Sequence, residues 1–194
     1  LDCDGALSGY KTAVTCSPAD GVSSTGIDLY GHDAEFGKLS FTTGGYIKST
    51  GGAATLAFEN ATDGNLKAAC SDAVTFVKRG AGKWILSGAN TYTGTTECSA
   101  GELWFYSLAN IGEPSSFGAP TAENAQVRMT GGAFAYTVPN SGYTQRFAVD
   151  GAGTLTLYVN GEKAGDYVRS DDEQSVRIDF AGDEPAEVRW AYAA

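Results

Sequence analysis

Between Lys78 and Phe105 the chain reads KRGAGKWILSGANTYTGTTECSAGELWF, and this stretch decides the fold. Short apolar runs with alternating side chains, such as Lys83 to Leu86 and Glu102 to Phe105, are separated by Gly, Ala, Asn, Thr and Ser. No charged residue falls between Lys83 and Glu97. Period-two alternation over four or five residues marks β-strands, and Gly and Asn supply the turns between them because they tolerate positive φ. Trp84, Ile85 and Leu86 are candidate core positions. Asn90 is expected in a turn, where its amide can satisfy backbone groups left unpaired by the strands, with Tyr92 as its packing neighbour.

The same grammar extends outward on both sides. GIDLY from Gly26, KLSFTTGGYIKS from Lys38, ATLAFEN from Ala54, AVTFVKR from Ala73, ELWFYSL from Glu102 and AQVRMTGGAFAYT from Ala125 each read as strand material bounded by turn formers. With 26 Gly and only 5 Pro in 194 residues, the composition is that of an all-β chain with frequent turns. From Val138 to Ala194 the alternation becomes strict: Phe147 and Val149, then Leu155, Leu157 and Val159, then Val176, Ile178 and Phe180, then Val188, Trp190 and Tyr192. Such a pattern predicts antiparallel strands with one polar face. NGEK at Asn160 supplies the pair favoured in a two-residue hairpin, and DGAG at Asp150 and GDEP at Gly182 are further turns. This segment is expected to be an antiparallel, sandwich-like meander packed on the preceding strands, resembling loosely the β-sandwich modules of secreted carbohydrate-active enzymes.

The stretch from Val77 to Phe105 resembles the autotransporter-associated β-strand repeat. The residues that carry the likeness are Lys78, Gly80, Ala81, Gly82, Ile85, Leu86, Ser87, Gly88, Ala89, Asn90, Thr91, Tyr92, Thr93, Gly94, Thr96, Ala100, Gly101 and Leu103. One clear copy spans about 76–105, and a weaker likeness covers about 54–137. Trp84 and Cys98 depart from the pattern. The resemblance implies a parallel β-helix, in which coils stack and inward side chains form columns, so residues 1–137 are expected to be solenoid-like. It also implies a structural or adhesion module of a secreted or surface-displayed bacterial protein. Glycans or host and cell-surface components are the partners this suggests. The alternative is a carbohydrate-binding module or a fragment of a polysaccharide-processing protein.

Composition sets limits on function. A formal net charge of −10 and an isoelectric point near 4.4 repel phosphate backbones and anionic membranes, so nucleic acid is not an expected partner. No apolar run is long enough to span a bilayer, so direct membrane insertion of this segment is not expected. Four cysteines, Cys3, Cys16, Cys70 and Cys98, lack the close pair spacing of a zinc site. Disulfides in an oxidising, extracytoplasmic compartment are one reading, and reduced buried thiols are the other. Three connectivities exist, of which Cys3–Cys16 and Cys70–Cys98 close the shortest loops. The 28 residues separating Cys70 from Cys98 approach one solenoid turn on this reading, which would let a bridge staple neighbouring coils.

Catalytic signals are poor. His32, the only histidine, sits in the turn sequence YGHDAEFG, and no nucleophile elbow or metal-binding helix motif is present. GAGK at Gly80 lacks the spacing of a phosphate loop. The acidic groups Asp33 with Glu35, Asp171 with Asp172 and Glu173, and Asp183 with Glu184 lie in turns and match no recognised calcium loop. No catalytic residue, metal ligand or cofactor is assigned. Aromatic residues are the remaining candidates: Trp104, Tyr106 and Trp190 form a possible glycan platform, since exposed rings stack on the apolar faces of sugars.

Overall fold

A computed structural model describes residues 10–17, 25–42, 44–107, 109–122, 124, 126–137, 146–149, 154–159, 162–168 and 187–193. All regular elements among them are strands, numbered here in chain order. The first wall contains β1 (Tyr10–Cys16), β3 (Ala34–Phe41), β5 (Ala54–Phe58), β8 (Val74–Lys78), β10 (Thr96–Cys98), β12 (Gln126–Met129) and β14 (Arg146–Val149), in that spatial order. The second contains β2 (Thr25–Asp28), β4 (Gly45–Lys48) and β7 (Ala68–Cys70). The third begins with β6 (Gly64–Leu66), β9 (Lys83–Leu86), β11 (Glu102–Phe105) and β13 (Ala133–Thr137). Neighbours within these runs are parallel, and the chain returns to each wall once per coil, which gives a parallel β-solenoid of about four turns.

Parallel register stacks equivalent residues into columns that hold the core. Phe36, Phe58, Lys78, Cys98 and Met129 are successive partners, all fully buried. Ile27, Ile47 and Cys70 form a second column, and Gly64, Trp84, Leu103 and Phe134 a third. The third explains how Trp84 is accommodated. Its ring lies over the backbone of Gly64 in the preceding coil, so a Cβ there would fall inside van der Waals contact, and it stacks on Phe58 with centroids 4.8 Å apart. Gly80 faces a similar constraint, since a side chain on it would run into the backbone of Glu59 and Asn60 one coil earlier.

The strands expected from alternation are present. β6 and β7 were not foreseen in the sequence, because three residues are too few to display a period. Past β13 the polarity changes in one wall only. β17 (Glu187–Ala193) pairs antiparallel with β13 and with β15 (Thr154–Val159), which pairs antiparallel with β16 (Glu162–Val168). The predicted alternation is realised in register: Leu155 opposes Tyr192, Leu157 opposes Trp190 and Val159 opposes Val188. The described residues do not, however, form two facing sheets. Their antiparallel strands are hydrogen-bonded onto β13 and prolong the third wall, while β14 pairs parallel with β12 and prolongs the first. The turns at Asp150, Asn160 and Gly182, and Val176, Ile178 and Phe180, lie outside the described residues.

Candidate functional site

Two of the three expected platform residues share a surface. Along β11 and the residue after it, Leu103 and Phe105 point into the core, so Glu102, Trp104 and Tyr106 face outward, and Tyr106 is 57% exposed. Trp104 is half-buried and already engaged. Its Nε1 donates to Glu102 Oε2 at 3.0 Å, and Lys83 Nζ lies 3.9 Å from the ring centroid in a cation–π contact. Lys83 and Glu102 are register partners on β9 and β11, so both charges are carried to the indole by the stacking itself. Trp190 belongs to a different ladder row. It opposes Phe134, whereas the row through Trp104 runs from Ile85 through Ala135 to Arg189.

The corner before β10 contains the most ordered polar cluster. Asn90 is buried; its Oδ1 accepts from Cys70 N at 2.9 Å, and its Nδ2 donates to Ser116 O at 2.9 Å. One side chain thus joins the coil before it to the loop that follows β11. Tyr92, also buried, shares a 2.6 Å hydrogen bond with Thr96 Oγ1. The loop is rooted at Ser116, whose Oγ accepts from Tyr106 N and Ser107 N at 3.1 Å each, and by Phe117, which packs on Phe105 at 4.4 Å and Phe134 at 5.9 Å between centroids. Nothing in the turn-rich sequence of this loop signalled that it would be tied so closely.

The cysteines correct an expectation. Cys16, Cys70 and Cys98 are free thiols, and Cys3 lies outside the described residues. The Cys70–Cys98 bridge does not form because a coil is about 20 residues, shorter than the 28 that separate them. Stacked partners one coil apart, such as Phe58 and Lys78 or Lys78 and Cys98, show this directly. Cys70 therefore lies in the second wall next to Asn90, and Cys98 in the first between Lys78 and Met129. Burial pushes the Cys70 thiol up to about 12 and the Cys98 thiol up to about 11.

Lys78 is a functional position that the sequence signalled faintly, as a lysine in phase with the inward Val74 and Phe76. Its ammonium donates to the carbonyls of Gly80 and Ala100, in its own coil and the next. Burial lowers its pKa, and the nearby Cys98 raises it. His32 is an exposed turn residue, as expected. Asp33 Oδ1 accepts from Thr55 N at 2.6 Å, and Glu35 pairs with Arg79 at 3.2 Å, so both carboxylates fix neighbouring coils along a shallow groove. The groups at Asp171–Glu173 and Asp183–Glu184 lie outside the described residues.

Against known proteins, the likeness falls on this same region. The family model described as passenger-associated-transport-repeat matches residues 76–104, from β8 to β11. A 65-residue stretch, 34% of this chain, is 43% identical to the adhesin BmaC autotransporter of Brucella suis biovar 1 (strain 1330), of which it spans only 2%. No solved structure gives a significant match. Stacked coils, the Gly80–Gly82 turn, the Asn90 corner and these matches together identify residues 76–104 as an autotransporter-associated repeat.

Proposed function

We propose that this chain is a non-catalytic structural or adhesion module of a surface-displayed bacterial protein. The observation that carries the reading is the continuous coil stack containing the repeat, which makes a rigid body with side chains displayed on three outer walls. The matched adhesin supports surface display and contact with host or cell-surface components. The test is antibody labelling of intact cells expressing the parent protein with an epitope inserted at the exposed Thr62–Asp63 turn. Labelling without permeabilisation is expected. Labelling seen only after permeabilisation overturns the reading.

A second reading is favoured by one observation, the shared outward face of Trp104 and Tyr106. On this reading the pair is a glycan platform in which a sugar ring displaces Lys83 from the indole. Saturable binding to a polysaccharide panel, lost in both Trp104→Ala and Tyr106→Ala, is its expected signature. Binding that is indifferent to both substitutions removes it.

A further inference from the structure

Register partners measure the length of every coil. From Phe36 to Phe58 the step is 22 residues, from Phe58 to Lys78 and from Lys78 to Cys98 it is 20 each, and from Met129 to Val149 it is again 20. From Cys98 to Met129 it is 31. One coil therefore carries 11 residues more than its neighbours, and the surplus falls between β11 and β12, where the preceding coil needs only the short Asn90 corner.

A surplus of this size in a regular stack has to be held or left loose, and here it is held. Ser107 and Ser116 clamp the neck through reciprocal hydrogen bonds of 3.0–3.3 Å, Asn90 exchanges backbone bonds with Ser115, and Phe117 is driven into the core. The tip has its own turn: Glu113 N donates to Asn110 O at 3.0 Å, Asn110 N to Glu113 Oε2 at 3.4 Å, and Gly112 N to Pro120 O at 3.1 Å. Above this rooted base, Asn110 to Pro114 are all exposed, with Ile111 at 40% and Tyr106 at the neck at 57%. A compact surface loop that is pre-organised by its own bonds loses little entropy on docking.

We propose that this loop is a protein-recognition loop, and that its partner is a protein surface with an apolar pocket rimmed by Lys and Arg. The proposal deepens the surface-module reading and rests on it. An aliphatic side chain at an apex gains free energy only by entering an apolar concavity, which a saccharide chain does not offer. The acidic side chain of Glu113 beside it, and the net charge of −10, select a basic rim and exclude an acidic one. The rest of the described solenoid surface offers no comparable projection, since the neighbouring coils keep the 20-residue length.

Panning the purified chain against a displayed library of random peptides tests this. Enrichment of peptides that combine an apolar residue with flanking Lys or Arg is expected, with binding weakened roughly tenfold by Ile111→Ser and by Tyr106→Ser, as for an interface anchor. Tyr46→Ser, on the second wall, is the control and leaves binding intact. A second variant replaces Asn110–Pro114 with two glycines; it should retain the thermal midpoint and lose the peptides. Failure to enrich such peptides, binders indifferent to the loop variants, or a glycan bound in an Ile111-dependent way each overturn the proposal. Labelling of intact cells does not depend on the loop, so a silent library with positive labelling removes the loop alone, whereas failed labelling removes the surface reading itself.

Discussion

Lys78 occupies a place that its column otherwise gives to apolar side chains, between Phe58 and Cys98. Its ammonium compensates for burial by satisfying carbonyls in two coils, and so ties one turn to the next. Lys78→Met keeps the stem and removes those donors; we expect a loss of about 1–3 kcal/mol in urea unfolding, the cost of leaving buried partners unmet. The two thiols make a different prediction. Cys70 and Cys98 have folded pKa values above the ordinary 9.0, so their contribution is complete below pH 9 and is lost as pH rises toward about 12 and 11. In that window the folded state holds more protons than the unfolded one, and stability must fall with pH. Cys70→Ala should flatten the fall by about 1.4 kcal/mol per pH unit, seen by repeating urea titrations from pH 8 upward. Alkylation in denaturant without reductant should label Cys70 and Cys98, and mass mapping that finds them joined would contradict the free-thiol geometry.

Among elements, the pairing of β6 with β9 illustrates what local pattern reveals and what it conceals. Alternation in KWIL made β9 and the inward Trp84 legible, and turn residues placed its ends. β6 was hidden, because its role is to be small at Gly64 where the Trp84 ring arrives, and a glycine between polar residues reads only as a turn. Gly64→Ala should cost about 1–3 kcal/mol through overpacking. In a double-mutant cycle with Trp84→Leu most of that penalty should vanish, whereas additive losses would show that the ring is not the obstacle. The outward placement of Trp104 and Tyr106 also followed from period two. The capture of the indole by Lys83 did not, because it depends on the register between β9 and β11, and a 19-residue offset between partners leaves no mark in local sequence. The loop after β11 was legible as a turn-rich stretch and illegible as a rooted structure for the same reason.

At the scale of the molecule, coil contacts are almost all between nearest neighbours, so stability should be graded along the axis. Interior strands β5, β8 and β10 have partners on both sides, whereas β1 is an edge whose inward Val14 and Cys16 are only partly buried. Hydrogen exchange should show the slowest amides in β8 and faster exchange in β1; uniform protection throughout would mean that the stack opens only as a whole. The carbohydrate-module likeness of the C-terminal segment came from alternation that is real, yet alternation does not say which sheet a strand joins. β17 joins the solenoid wall because β13 offers it a free edge.

The coil length also fixes how far such a protein can reach. Each coil of about 20 residues advances the stack by roughly 4.8 Å, the distance between hydrogen-bonded strands. That is roughly 0.24 Å of height for each residue, against about 1.5 Å in an α-helix. A protein built this way converts chain into girth and rigidity, and it gains stature only by adding many turns. Any ligand-binding projection must then extend sideways from the column, where a few extra residues travel further than a whole added storey.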